Sequence, residues 1–149
     1  MSALQTALPL WVGIDPGKTK CGYAAMDSHG VRRFLEVVAT AAIEQRIERD
    51  AARGGIEVIC VGDATTSDSI LSLCRRRWPS IPLAVVDETN TTLEARRLYY
   101  EEHPPRGLWR FVPRGLLVPS MPLDGYAALL ILRRYRCTVA MGRKAPSRA

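Results

Sequence analysis

The chain has 149 residues, 47% hydrophobic and 24% charged, which predicts one soluble globular domain with room for a core and no second domain. Its net charge of +6 is uneven: ten basic residues against twelve acidic ones up to residue 95, then eleven against three from residue 96 onward, so the second half is expected to face a polyanion. Four widely spaced cysteines (Cys21, Cys60, Cys74, Cys137), with no Cys-x-x-Cys pair, indicate neither a zinc site nor a disulfide framework and read as reduced, largely buried thiols, and the longest apolar run, residues 126–132, is far short of the roughly 20 residues of a membrane span. With no signal segment at the start, a cytoplasmic protein is expected.

Residues 1–7 have no clear period. Strands are expected over 8–15 and 21–26, and a turn through Asp27-Ser28-His29-Gly30 leads to a third run over 31–39, giving a three-stranded meander. Thr40 is a candidate N-cap for an amphipathic helix carrying Ile43, Ile47 and Ala51, stopped at Gly54-Gly55. A buried strand follows over 56–61, then a helix capped by Ser67 with Ile70, Leu71 and Cys74 inward, then a strand over 81–86. Thr91-x-x-Glu94 reads as a capping box opening a helix to about residue 102. Residues 103–119, with four prolines, form an irregular loop, and a last helix is expected over 123–135, its basic tail after residue 136 mobile. The alternation of strands and helices implies an α/β domain with a mixed sheet of about five strands, covered by helices on both faces. The core spans about 8–136.

Three acids stand out. Asp15 leaves a strand of buried character just before Pro16-Gly17, where a carboxylate needs a cation or donors, although a turn-capping Asp would look the same; the order of residues is not that of a P-loop. Glu88 follows the strand over 81–86, with Asp87 as the alternative because neighbouring residues point to opposite faces. Asp124 opens the last helix beside Leu123, Tyr126, Ala127, Leu130 and Ile131, where it also suits the helix dipole. In such sheets ligands gather outside the strand ends.

Gly13-Ile14-Asp15-Pro16-Gly17 with Gly22, Asp87-Glu88-Thr89-Asn90-Thr91-Thr92-Leu93-Glu94-Ala95-Arg96-Arg97-Leu98, and Asp124-Gly125-Tyr126-Ala127-Ala128-Leu129-Leu130-Ile131-Leu132-x-x-Tyr135 resemble the three signatures of the YqgF/RuvX family of Holliday-junction resolvases, within the ribonuclease H-like superfamily. The resemblance covers residues 11–135. It implies a ribonuclease H-like fold and a site of one acid from each block: Asp15, Glu88 and Asp124. The chain departs from the family at Thr89, where Arg is usual, at Met121-Pro122-Leu123, and in the loop Gly62-Asp63-Ala64-Thr65-Thr66-Ser67-Asp68, which is closer to the YqgF-like domains of transcription-associated proteins.

The chemistry implied is two-metal hydrolysis of a phosphodiester, in which two Mg²⁺ or Mn²⁺ ions roughly 4 Å apart activate a water and stabilise the leaving oxygen. Asp15 would bridge the ions, with Glu88 and Asp124 holding one each. Lys20, Thr65, Thr66 and Ser67 lie within plausible reach of a phosphate. Arg96, Arg97, Arg106, Arg110, Arg114, Arg133, Arg134 and Arg136 are candidate phosphate contacts, unless they are only solvated surface. Trp109 and Phe111 are candidate base contacts or, equally, anchors packing the loop down. Tyr99, Tyr100 and Tyr126 read as core, and His29 and His103 as turn residues.

The expected function is thus a metal-dependent endonuclease of branched DNA or of structured RNA such as precursor ribosomal RNA. The alternative is a nucleic-acid-binding module that does not cut. An actin-like or sugar-kinase ATPase is the weakest option, since that architecture needs two such domains. A junction resolvase must make two symmetric cuts, which implies a homodimer, and the helix over 93–102, with Leu98, Tyr99 and Tyr100 adjacent, is the candidate face.

Overall fold

The computed structural model describes residues 8–142. Strands β1 (Leu10–Asp15), β2 (Lys20–Asp27), β3 (Arg32–Ala39), β4 (Ile56–Gly62) and β5 (Leu83–Val86) form one sheet in the order β3-β2-β1-β4-β5. The β1–β2 and β2–β3 pairs are antiparallel, whereas β1–β4 and β4–β5 are parallel. The expected meander and the expected parallel pair therefore meet at β1, the middle strand. The helices are α1 (Ile43–Arg53), α2 (Ser67–Arg77), α3 (Thr91–Glu102) and α4 (Asp124–Ala140).

Strand side chains alternate between two cores. Val12, Ile14, Tyr23, Ile59 and Val61 pack with Ile43 and Ile47 of α1 and Ile70 and Leu71 of α2. Ala24, Met26, Val58, Cys60 and Val86 pack on the other face with Ala95 and Leu98 of α3 and Ala128, Ile131 and Leu132 of α4. Burial on both faces is why β1 and β4 read as nearly unbroken apolar runs. On the second face α4 lies unusually close to the sheet: a Cβ at Gly13 would stand 2.5 Å from the Ala128 carbonyl oxygen, and one at Gly22 only 1.8 Å from that of Asp124. No other residue type fits under α4 at those two points.

The helix starts differ from expectation. Thr40 caps nothing; its hydroxyl donates to the Gly17 carbonyl at 2.8 Å, fastening the β1–β2 turn to the end of β3. Ser67 is the first helical residue of α2 and is buried, with Thr66 at the N-cap position making no side-chain cap bond. The capping box is absent too, because Asn90 takes the N-cap position in the left-handed region (φ 62°) and Thr91 is buried. At the other end α4 runs on to Ala140, so residues 137–140 of the expected tail are helical; residues 143–149 lie outside those described. Cys21, Cys60 and Cys74 are buried and all four cysteines are free, though Cys137 is exposed. Among the described residues no helix is long and apolar enough to cross a membrane.

Candidate active site

The three acids are brought together by strand register and by missing side chains. Asp15 closes β1 and pairs with Gly22 of β2, while Ile14 pairs with Val61 of β4, which puts Gly62 next in line on the far side. Since Val12 and Ile14 face α1 and α2, the alternation turns Asp15 toward α4. The two flanking glycines leave the space that the other acids use. The backbone of Asp124 sits over Gly22, and a Cβ at Gly62 would stand 1.8 Å from Glu88 Oε1.

Alternation also decides between Asp87 and Glu88. Ala84 and Val86 face α3 and α4, so Glu88 returns to that face two residues later and meets Asp15. Asp87 turns away, and its Oδ1 accepts bonds from Thr89 N (2.8 Å) and Thr89 Oγ1 (2.6 Å). One further acid holds Glu88 in place: Asp63 Oδ1 accepts its backbone N–H at 2.9 Å. Sequence reasoning missed both Asp63 and Gly62, although a glycine ending an apolar strand run was the available signal.

Burial raises the Asp15 carboxyl; the hydrogen bond with Glu88 lowers it, the Asp124 charge raises it, and the net direction is upward. Glu88 is pushed up to about 8, by burial first and then by the hydrogen bond and charge of Asp15, with Asp63 and Asp87 adding like charge. Its Oε1 is buried without a donor. Two carboxyls in contact share a proton or need a cation between them. Asp124 is turned instead to Lys20, whose Nζ lies 3.2 Å from Asp124 Oδ2. Among the described residues no three His, Cys, Asp or Glu side chains form a closed ligand set. The donors nevertheless fit a hard divalent cation: all are carboxylate oxygens, one is buried and unpartnered, and their mutual repulsion is what such an ion relieves.

The remaining candidates divide. Thr65 is exposed in the turn after β4 and Thr66 half-buried, while Ser67, the first residue of α2, is buried as a residue. The Arg134 guanidinium donates to the carbonyls of Asp87 (2.6 Å) and Thr89 (2.7 Å) and to Glu94 Oε1 (3.1 Å), tying the β5–α3 loop to α4. Arg97 pairs with Glu101, and Arg136 donates to the His29 carbonyl. Arg96 is half-buried, its Nε unpartnered. Arg106, Arg110, Arg114 and Arg133 are exposed and form no ion pair among the described residues. Trp109 and Phe111 do not anchor the loop; both are exposed, whereas Leu117 and Val112 pack inward.

Two solved structures are similar over nearly the whole chain. One is T. thermophilus RuvC in complex with Holliday junction substrate, 16% identical, with a TM-score of 0.57 over 93% of this chain and 99% of that one. The other is Thermus thermophilus RuvC, 18% identical, with a TM-score of 0.56 over the same shares. No protein-family model matches the chain, and no curated protein does. At these identities the likeness is one of fold: the ribonuclease H-like arrangement of a mixed five-stranded sheet between helices.

Proposed function

We propose that the chain is a divalent-metal-dependent endonuclease of the YqgF/RuvX kind, acting on branched DNA or structured RNA, with Asp15, Glu88 and Asp124 as its metal ligands. The observation that carries this is the convergence of the three acids at the end of the central strand, where Asp15 lies between Gly22, covered by the Asp124 backbone, and Gly62, covered by Glu88 Oε1. Two Mg²⁺ or Mn²⁺ ions held there would activate water and stabilise the leaving oxygen of a phosphodiester. The chain's own side chains do the rest. Gly22 and Gly62 keep the acids close, Asp63 fixes the Glu88 backbone, and Lys20, half exposed beside Asp124, offers a cation to an incoming phosphate. RuvC in complex with a Holliday junction is the precedent for a branched substrate on this fold.

A cytoplasmic nucleic-acid-binding module that does not cut is the second reading. The Lys20–Asp124 ion pair favours it, since a lysine ammonium then balances one of the three acids in place of a metal ion.

The deciding assay incubates the purified chain with Mn²⁺ or Mg²⁺ and junction DNA, single-stranded DNA or structured RNA, beside Asp15→Asn. The amide is a poor ligand for a hard cation, so cutting should fall at least a hundredfold with binding retained. Binding without cutting under every metal condition would favour the second reading, and undiminished cutting by Asp15→Asn would reject the site.

A further inference from the structure

Between α3 and α4 the chain forms two short 3₁₀ turns, Gly107–Phe111 and Arg114–Leu116. Val112 and Leu117 pack into the core, and the Tyr99 hydroxyl lies 2.7 Å from Ser120 Oγ, so the segment is fastened at its middle and its end. Its outer side chains are left uncovered: Leu108 is 84% exposed, Trp109 66% and Phe111 73%. Apolar side chains grouped this way on a fastened segment mark a binding surface. The charge is one-sided, because residues 103–123 include Arg106, Arg110 and Arg114 and not one acid.

These observations specify the occupant. A purely apolar partner would leave three arginines to be desolvated unpaired, whereas a nucleic-acid strand offers phosphates to the arginines and flat base faces to the aromatics. Arg110 already lies over the Phe111 ring, its guanidinium carbon 5.0 Å from the centroid, so Trp109 is the open platform. The other two tryptophans are engaged through their indole N–H groups, Trp11 with Glu57 and Trp78 with Glu48. We infer that the segment 106–114 is a base-stacking tongue on which Trp109 receives an unpaired base of a nucleic-acid strand while Arg106, Arg110 and Arg114 hold the flanking phosphates. This rests on the nucleic-acid reading above but not on cleavage.

The test uses Trp11→Phe with Trp78→Phe, which leaves Trp109 as the sole tryptophan, in chelator so that nothing is cut. Oligothymidylate should bind and quench the Trp109 emission, whereas an abasic strand of equal length and charge should bind with little quenching. In the otherwise native chain, Trp109→Ala should weaken oligothymidylate binding roughly tenfold without changing abasic binding, and Trp109→Phe should restore most of the loss. Equal quenching by both strands, or unchanged affinity in Trp109→Ala, would overturn the inference. So would a concentration-dependent dimer abolished by Trp109→Ala without quenching, since the tongue would then serve a second copy. Quenching without cutting in the earlier assay leaves the tongue standing and removes the nuclease; cutting without quenching does the reverse. Failure of both strands to bind would overturn the tongue, and would remove the nucleic-acid reading too only if the earlier assay showed neither binding nor cutting of junction DNA or structured RNA.

Discussion

Glu88 and Asp15 are two acids in contact, and the cost of ionising both falls on the folded state. The unfolded Glu88 releases its proton near the ordinary 4.5, but the folded one holds it up to about 8. Between those values the folded Glu88 holds a proton that the unfolded one has lost, so without metal its contribution to stability is fullest below about 4.5 and is lost as pH rises toward 8. Glu88 is partly solvated, and screening reduces the loss to about 1 kcal/mol, or roughly 4 °C in melting temperature for a chain of this size. Thermal melts in chelator from pH 5 to 8 should show that decline, Asp15→Asn should flatten it, and Mn²⁺ should stabilise the native chain most at the alkaline end. A native profile as flat as that of Asp15→Asn would mean the two carboxyls do not share a proton. Asp15 and Asp124 were legible in sequence because each ends or begins an element beside an apolar run. Glu88 was legible only as one of a pair, since Val85 and Val86 are both apolar and give no sign of which face meets α4.

At the level of elements, the site depends on positions where β2 and β4 have no side chain. Alanine at Gly62 puts a methyl group where Glu88 Oε1 now lies, and the backbone there is otherwise suited to any residue. Gly62→Ala is therefore expected to leave the fold intact, to change the melting temperature by only a few degrees, and to lower metal affinity and cutting at least tenfold. Calorimetric titration with Mn²⁺ checks it, with Gly115→Ala, where nothing lies within 4 Å, as the control. The strands and helices themselves followed from apolar periodicity, which is set by the cores, whereas the order β3-β2-β1-β4-β5 did not, because periodicity carries no information on which strands pair. The helix caps did not follow, because a hydroxyl near a helix start has other acceptors: Thr40 is taken by Gly17, and the left-handed Asn90 turns the chain before Thr91 can cap it. The part Arg134 plays in holding the β5–α3 loop did not follow either. Its sequence neighbourhood is basic, but its partners are carbonyls about 45 residues away in the chain.

For the molecule as a whole, resolving a four-way junction needs two related sites, which makes a homodimer a requirement of the resolvase form of the proposal. The face expected from sequence is not available for it. Leu98, Tyr99 and Tyr100 are buried within the chain by α4 and the loop before it, with Tyr99 edge-on to Tyr126 at 5.8 Å. Cleavage of a supercoiled plasmid that extrudes a cruciform separates the outcomes: a dimer making paired cuts yields linear plasmid, and independent single cuts yield nicked circles. Sedimentation on and off the junction should show two copies bound if linear product dominates. A monomer giving only nicked circles would leave a single-cut nuclease as the better account. The position of α4 in the chain has a bearing on how such a protein is made. During synthesis Asp15 emerges first and Glu88 in mid-chain, but the face carrying Ala24, Met26, Val58 and Cys60 stays open until Asp124–Ala140 has left the ribosome. Helix α4 both covers that core face and carries Asp124, so the three acids of the proposed site cannot come together before α4 has been made.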